Sequence, residues 1–220
     1  MNPNDAAARQ RSLRQGQAAR AKLLPATPLD RAAMADVAVI DGVPARYAST
    51  IRTELPDAAA KVATGSLERL VSPESKHDGL IVYSRSPHYA GLLAGAIYSG
   101  AMTRNRAAKW YNFPEMADGF TRKIQLDRAS EWEIGEMRDW MTDLDSAKFC
   151  YDLVVIYDVQ AQLNTSYIGT ELYKLVHARA IRGLFTVITA RAEQVASVWT
   201  AAPSLELLIS EQFGTHSEAK

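Results

Sequence analysis

The segment Gly79-Leu-Ile-Val-Tyr-Ser-Arg-Ser-Pro-His-Tyr-Ala-Gly-Leu-Leu-Ala-Gly-Ala-Ile97 changes its pattern twice along its length. Its first residues are almost all apolar, which predicts a buried strand from Leu80 to Tyr83. Residues Ser84 to Ala90 are mixed in character and include a proline, which predicts a short loop. Small and apolar residues follow and predict a closely packed helix from Gly91. The segment therefore predicts a strand, a loop and a helix in direct succession.

This order of elements is shared with the phosphate-binding unit of P-loop NTPases, whose loop has the sequence G-x-x-x-x-G-K-[ST]. In that loop, backbone N–H groups surround the phosphates, the lysine contacts the outer phosphate oxygens, and the hydroxyl binds Mg²⁺. Here Ser84 and Tyr89 stand at the two glycine positions, Ala90 at the lysine and Gly91 at the hydroxyl residue. The spacing is retained, but the groups that contact phosphate are absent.

Composition and charge indicate a globular protein with one unusual region. The chain has 220 residues, of which 47% are hydrophobic and 23% charged, and its formal net charge is zero. These values favour one domain with an appendage and give no general attraction to nucleic acid or membranes. Residues 1–31 nevertheless carry a net charge of +4, from six basic residues against Asp5 and Asp30.

We therefore expect a basic N-terminal arm and linker over residues 1–42, a core over 43–214 and a disordered tail over 215–220. The arm is either a solvated, disordered segment or a helix over 6–23 that orders on a partner, because its apolar face is mostly alanine. In the second case it contacts a partner protein or DNA through its basic side chains. These are Arg9, Arg11, Arg14, Arg20 and Lys22.

Cysteine content and hydropathy bear on the compartment. Cys150 is the only cysteine, so no intrachain disulfide forms and a cytoplasmic location is expected. Its position beside the apolar run 153–156 predicts a buried small side chain rather than a nucleophile. No apolar run is long enough to predict a membrane span.

The remaining chain alternates between apolar runs and segments with helical periodicity. Strands are predicted over 107–113, 153–156 and 184–189, and helices over 58–70, 114–124, 131–144, 170–182, 195–200 and 204–213. Gly183 and Gly214 are predicted to end the helices that precede them. Strands and helices that alternate in this way predict an α/β fold with a parallel sheet and helices on both faces.

Six segments, in this order, carry a resemblance to a known family. They are Val43–Ile51 (VPARYASTI), Gly79–Ile97, Trp110–Phe120 (WYNFPEMADGF), Tyr151–Val159 (YDLVVIYDV), Glu171–Arg179 (ELYKLVHAR) and Thr186–Arg191 (TVITAR). Together they resemble the lead-in, phosphate loop, second strand, Walker B strand, following helix and sensor-1 strand of DnaC-type replicative helicase loaders and of the related IstB-type transposition ATPases. The resemblance implies a three-layer P-loop NTPase core of the AAA+ (RecA-like) type.

The resemblance also assigns positions that normally act on ATP. Tyr157 stands where the family has the acid that binds Mg²⁺, and Asp158 where it has the acid that orients the attacking water. Arg191 replaces the sensor-1 asparagine. The resemblance therefore implies that ATPase chemistry is lost and that no cofactor is required. Under the alternative of an active enzyme, ATP and Mg²⁺ are the cofactors and Asp158 is the catalytic residue.

Two further hypotheses concern the vacated phosphate site. Arg85 and Arg191 either bind an anion directly or, as we favour, form ion pairs with Asp158 or surface carboxylates. Tyr89 or Tyr157 is expected to fill the space, because an aromatic side chain packs well where a cavity would be costly. No metal-ligand spacing and no Ser-His-Asp arrangement is evident.

The resemblance implies a nucleotide-independent pseudo-ATPase related to helicase loaders, which acts through protein contacts, and through DNA contacts if the arm binds DNA. We expect a replicative helicase or an AAA+ relative as the partner, a homo- or hetero-oligomer, and a role in the replication of a phage or mobile element. One alternative is a divergent but active ATP-binding loader or transposition ATPase. The other is a structural or assembly protein that reuses the P-loop fold.

Overall fold

The structure is a computed structural model that describes residues 38–39, 42–48, 50, 54–71, 79–125, 130–159, 166–194 and 202–218. The basic side chains predicted to contact a partner or DNA (Arg9, Arg11, Arg14, Arg20 and Lys22) lie outside the described residues. The helices predicted over 6–23 and 195–200 lie outside them as well.

A five-stranded sheet forms the centre of the protein. Its strands are β1 (Gly79–Ser84), β2 (Ala108–Asn112), β3 (Leu153–Val159), β4 (Phe185–Arg191) and β5 (Phe213–Ser217). They lie in the order β2-β3-β4-β1-β5, and every neighbouring pair is parallel. The predicted parallel sheet is therefore confirmed, with β5 as an additional edge strand.

Helices cover both faces of this sheet. They are α1 (Ala45–Ala48), α2 (Asp57–Val71), α3 (Pro87–Met102), α4 (Phe113–Ile124), α5 (Glu131–Phe149), α6 (Ser166–Ala180) and α7 (Pro203–Gln212), with a 3-10 turn at Ala192–Gln194. Buried residues of α1 to α3 form one core with one face of the sheet, and those of α4 to α7 form a second core with the other face. The predicted α/β class with three layers is confirmed.

The central strands are apolar throughout because both of their faces are covered. In β3, Leu153 and Val155 belong to the core beside α3, whereas Val154 and Ile156 belong to the opposite core. All four side chains are fully buried. A strand with two buried faces has no position for a polar side chain in its middle, which explains the uninterrupted apolar run in the sequence.

Helix α3 begins four residues earlier than predicted, at Pro87 rather than Gly91. The reason is a local helix-start signal. Ser86 adopts an extended backbone and its hydroxyl accepts a hydrogen bond from the backbone N–H of Tyr89, while Pro87 occupies the first turn. The loop after β1 therefore consists of Arg85 and Ser86 only, and the residues from His88 to Ala90 are helical.

The C-terminal end also differs from prediction. Gly214 does not cap α7; the helix ends at Gln212, and residues 213–217 form β5 along the edge of β1. The expected disordered tail is therefore wrong for residues 215–217. The physical reason is tertiary: Phe213 is buried, and its ring lies where a side chain at Gly79 would be, 2.2 Å from the position of a Cβ there.

Other boundaries shift by smaller amounts. Helix α2, predicted over 58–70, spans Asp57–Val71; it buries Ala59, Ala63 and Leu67, whereas Val62 is half-buried. Ala38, which we assigned to the arm and linker, is buried in the core, so the domain begins before residue 43.

Arg179 of α6 is fully buried. The helical periodicity of this segment predicts burial of its apolar side chains and gives no sign of a buried guanidinium. Its Nε donates to Thr186 Oγ1 at 2.9 Å, and its Nη2 donates to the Phe185 carbonyl at 2.7 Å. Its Nη1 donates to the carbonyls of Ala147 and Tyr151. These bonds join α5, α6 and β4 at the amino-terminal edge of the sheet. Burial lowers the pKa of the guanidinium.

Cys150 lies at the end of α5 as a buried free thiol, in agreement with the predicted structural role. Burial raises the pKa of this thiol, which disfavours the reactive thiolate. Among the described helices, none has both the length and the apolar character that a membrane span requires.

Candidate functional site

The carboxyl ends of three neighbouring strands bring the predicted site residues together. Ser84 ends β1, Tyr157 and Asp158 lie near the end of β3, and Arg191 ends β4. In open α/β sheets, ligands bind outside the carboxyl ends of the strands, where the strand order reverses. Strand β1 lies at such a point, because the next strand in the chain, β2, lies on one side of it and the last strand, β5, lies on the other.

The loop after β1 is closed by its own hydrogen bonds. The hydroxyl of Ser84 accepts from the Ser86 N–H at 3.0 Å and lies 2.7 Å from the Ser86 carbonyl oxygen. The Ala90 N–H donates to the same Ser86 carbonyl at 3.2 Å. The first backbone donors of α3 are thus partly used by the loop that precedes them.

Tyr47 of α1 lies directly on α3 at Gly91. Its side chain is fully buried, and a Cβ added at Gly91 would lie 2.2 Å from the Tyr47 Cζ. One turn further along α3, a Cβ at Gly95 would lie 2.6 Å from the Tyr47 carbonyl oxygen. The two glycines therefore permit the close approach of α1. Tyr47 was missed as a site residue, although glycines four apart on a helix signal a close contact.

Tyr157 extends from β3 to the start of α3. Its hydroxyl donates to the Pro87 carbonyl at 3.0 Å and lies 3.5 Å from the Tyr47 hydroxyl. Its ring lies between those of Tyr47 and Trp110, with centroids 5.8 Å and 5.3 Å away. Burial raises the pKa of Tyr157, so the side chain stays neutral at physiological pH and acts as a hydrogen-bond donor.

Asp158 and Arg191 form the ion pair that we favoured from the sequence. Arg191 Nε and Nη2 donate to the two carboxylate oxygens of Asp158 at 3.1 Å and 3.3 Å. Asp158 has a left-handed backbone with φ of +61°, at an irregularity in the pairing of β3 and β4, and its N–H donates to Thr189 Oγ1 at 2.8 Å. The hydrogen bond with Asp158 raises the pKa of Arg191.

Glu218, just after β5, contacts the loop from the opposite side. Its Oε2 accepts from the Ser84 hydroxyl at 2.5 Å and from the Ser86 N–H at 3.2 Å. The hydrogen bond with Ser84 is the largest of the contacts that lower the pKa of this carboxyl. The Arg85 side chain is exposed, and its charge also favours the ionised form of Glu218.

Tyr89 turns away from Tyr157 and Tyr47 and faces β5. Its hydroxyl is 2.9 Å from His216 Nε2, and the two rings are stacked with centroids 6.0 Å apart. Ala90 and Gly91 are buried under other side chains of this core. The tyrosines that lie together at the start of α3 are therefore Tyr47 and Tyr157.

The arrangement is suited to rigid packing rather than to proton transfer. Tyr157 is held as a neutral donor, and the carboxylate of Asp158 is engaged by a guanidinium. Within the described part of the chain, no group of three or more His, Cys, Asp or Glu side chains is placed to hold a metal ion.

The strand order and the strand-loop-helix unit define the class of fold, which is the P-loop fold of AAA+ proteins. No protein-family model and no curated protein sequence matches the chain. Solved structures do match it.

The structure of DnaI matches with a TM-score of 0.55 and 15% identity, over 82% of this chain and 96% of DnaI. The DnaC helicase loader matches with a TM-score of 0.53 and 11% identity, over 79% of this chain and 99% of the loader. A DNA replication initiation factor matches with a TM-score of 0.53 and 12% identity over 72% of this chain, but only 44% of that factor's length is spanned. At these identities the likeness establishes the fold.

Proposed function

We propose that this chain is a replication factor of the helicase-loader type that acts through protein contacts and does not use ATP. The loader part of the proposal is supported by the likeness to the DnaC helicase loader and to DnaI, which extends over nearly the whole length of both. The partner that this suggests is a replicative helicase. The proposed independence of ATP is supported by the geometry at the start of α3.

The observation that carries the proposal is the early start of α3. In a P-loop, backbone N–H groups of an extended loop surround the phosphates. In this chain the corresponding residues, from Pro87 to Ala90, are the first turn of a helix. Pro87 has no N–H, and the N–H groups of Tyr89 and Ala90 are bonded to the hydroxyl and the carbonyl of Ser86. A nucleotide phosphate would have to displace these bonds to reach the donors.

Neighbouring side chains oppose nucleotide binding as well. A hydroxyl-bearing residue at Gly91, which the P-loop motif requires for Mg²⁺, would overlap the Tyr47 ring. Tyr157 offers a neutral hydroxyl where Mg²⁺ coordination requires a carboxylate, and its hydroxyl is bonded to the Pro87 carbonyl. The residues present therefore do not fit ATP with Mg²⁺, and the mechanism that we propose has no hydrolytic step.

The basic N-terminal arm is the segment that we propose contacts the helicase or DNA. Its net charge of +4 over residues 1–31 suits an acidic protein surface or the phosphates of DNA. The oligomeric state and the role in a phage or mobile element remain predictions.

Nucleotide independence is tested by thermal unfolding of the full chain with ATP or ADP and Mg²⁺. We expect no change in Tm at millimolar nucleotide. A ligand at 100 times its Kd stabilises the folded state by about 2.7 kcal/mol, equivalent to a rise in Tm of roughly 5–10 °C for a domain of this size. A rise of that kind with nucleotide would support the divergent active loader instead.

The partner is tested by co-elution of the full chain with the replicative helicase of its source. We expect the complex to be lost when Arg9, Arg11 and Arg14 are replaced by alanine. The matched control replaces the exposed Arg122 and Arg138 of the folded core and should retain the helicase. If none of the proteins retains helicase, the chain is better explained as a structural or assembly protein.

DNA binding by the arm makes a separate prediction. Affinity should fall steeply with salt, and each arginine removed from the arm should lower the slope of log K against log salt by about one. A salt slope that is unchanged by the arm substitutions would exclude the arm as a DNA contact.

A further inference from the structure

The C-terminal strand ends at the loop after β1. Strand β5 pairs with β1 from Phe213 to Ser217, and the Glu218 N–H continues the ladder by donating to the Tyr83 carbonyl at 3.0 Å. Among the described strands, β5 is the outermost and pairs with β1 alone. The register of this pairing places the Glu218 side chain beside Ser84 and Ser86.

Glu218 is held there by two donors at once. Its Oε2 accepts from the Ser84 hydroxyl and from the Ser86 N–H. Hydrogen bonds to an ionised carboxylate are stronger than those between neutral groups. The Arg85 charge adds to the attraction. The loop thus contains an anion-binding arrangement, and the anion in it belongs to the same chain.

We infer that the loop from Ser84 to Ser86 is a carboxylate-binding site whose ligand is Glu218 of the same chain, and that this contact latches β5 to the sheet. The latch goes beyond the proposed function, because it is a property of the folded chain that needs neither a helicase nor a nucleotide.

The position of the latch determines what its release exposes. Strand β5 is a short edge strand, fastened at its start by Phe213 and along its length by the Tyr89–His216 contact. If the Glu218 end detaches, the Tyr83 carbonyl loses its bond from the Glu218 N–H, and Ser84 and Ser86 lose their bonds to the carboxylate. An exposed strand edge beside an anion-binding loop would accept an extended segment that carries an acidic residue. The latch therefore keeps this end of the β1 edge covered.

The test is amide hydrogen exchange on the full-length protein and its Glu218→Gln variant. We expect the amides of His216, Glu218 and Ser86 to exchange at least tenfold faster in Glu218→Gln, because alternate N–H groups of β5 face β1. The amides of β3 and β4 should keep the rates of the unaltered protein. Glu206→Gln, which alters an exposed carboxylate on α7, is the control and should leave all these rates unchanged. Equal rates at His216 and Glu218 in Glu218→Gln and the unaltered protein would overturn the latch.

A second variant separates a latch from general stabilisation. Ser84→Ala removes the hydroxyl on the other side of the contact, so the double variant Ser84→Ala with Glu218→Gln should exchange little faster at β5 than either single variant. Effects that multiply independently would show that Ser84 and Glu218 do not act together. Exchange that rises by the same factor in β3 and β4 would mean that Glu218 stabilises the whole domain, and the latch would be wrong.

The outcome is independent of the nucleotide experiment. Stabilisation of the unaltered protein by ATP with Mg²⁺ would refute nucleotide independence, whereas the exchange rates at β5 decide the latch by themselves.

Discussion

Replacement of Gly91 by alanine tests whether Tyr47 occupies the place where the P-loop motif requires a hydroxyl residue. The added Cβ would lie 2.2 Å, 2.3 Å and 2.7 Å from three carbons of the Tyr47 ring. Real Cβ contacts are not this short, so the ring or α1 must move. Tyr47 has little room to do so, because it is fully buried and has Arg46 at 4.7 Å from its ring centroid and Tyr157 close to its hydroxyl.

Two opposing effects set the magnitude. Overpacking of a well-packed core costs about 1–3 kcal/mol, and the rigid surroundings of Tyr47 place this site at about 3 kcal/mol. Alanine in place of glycine inside a helix stabilises it by about 1 kcal/mol. We therefore expect Gly91→Ala to lower the free energy of unfolding by about 2 kcal/mol.

The assay is chemical denaturation at equilibrium, with a double-mutant cycle. In a Tyr47→Ala background the ring is absent, so Gly91→Ala should be neutral or stabilising, which gives a coupling of about 2–3 kcal/mol between the two sites. Gly135→Ala in α5 is the matched control, because a Cβ there has nothing within 4 Å and should stabilise by up to about 1 kcal/mol. A loss from Gly91→Ala that is equally large without the Tyr47 ring would refute the reasoning.

Three further predictions concern other parts of the fold. Arg179→Met should lower the free energy of unfolding by about 3 kcal/mol or more, because several buried carbonyls lose their donor. Arg182→Met, on the exposed surface, should lower it by well under 1 kcal/mol. Urea denaturation measures both. Trp140→Ala should lower the free energy of unfolding by about 3 kcal/mol, because the Trp140 ring packs edge-on against the buried Phe120 ring with centroids 5.3 Å apart. The Trp132 side chain is 70% exposed, so Trp132→Ala should change stability by less than about 0.5 kcal/mol. The contacts of Glu218 lower its pKa in the folded state. Its contribution to the free energy of unfolding is therefore present above the unfolded pKa of about 4.3 and is lost as the pH falls through the folded pKa. Between pH 5 and pH 3, the Tm of the unaltered protein should fall more than that of Glu218→Gln.

Phosphate binding and helix capping compete for the same backbone donors. The first N–H groups of a helix have no partner inside the helix, so they can bind phosphate or be satisfied by nearby side chains. In this chain the second solution is used: the Ser86 hydroxyl accepts from the Tyr89 N–H, and Glu218 accepts from the loop before the helix. A serine cap followed by Pro87 favours the short loop over the extended phosphate-binding loop.

Local sequence patterns determined the architecture. The apolar run at 153–156 predicted a strand buried on both faces, and the alternation of strands and helices predicted the parallel sheet. The order of the six segments predicted the P-loop fold. For Arg191 we predicted an ion pair with Asp158 or with surface carboxylates, and in the structure the partner is Asp158.

Contacts between distant segments decided the site. Periodicity describes one segment at a time and carries no information on which surfaces meet, so the Tyr47 ring on Gly91 and the buried guanidinium of Arg179 were not predictable from it. The same limit applies to Ser84 and Glu218, which are 134 residues apart and meet because β5 pairs with β1 in one register. From the residue types alone we predict that the usual phosphate contacts are missing. Only the packing of distant segments places the Tyr47 ring on Gly91, and only the pairing of β5 with β1 brings the Glu218 carboxylate to the loop.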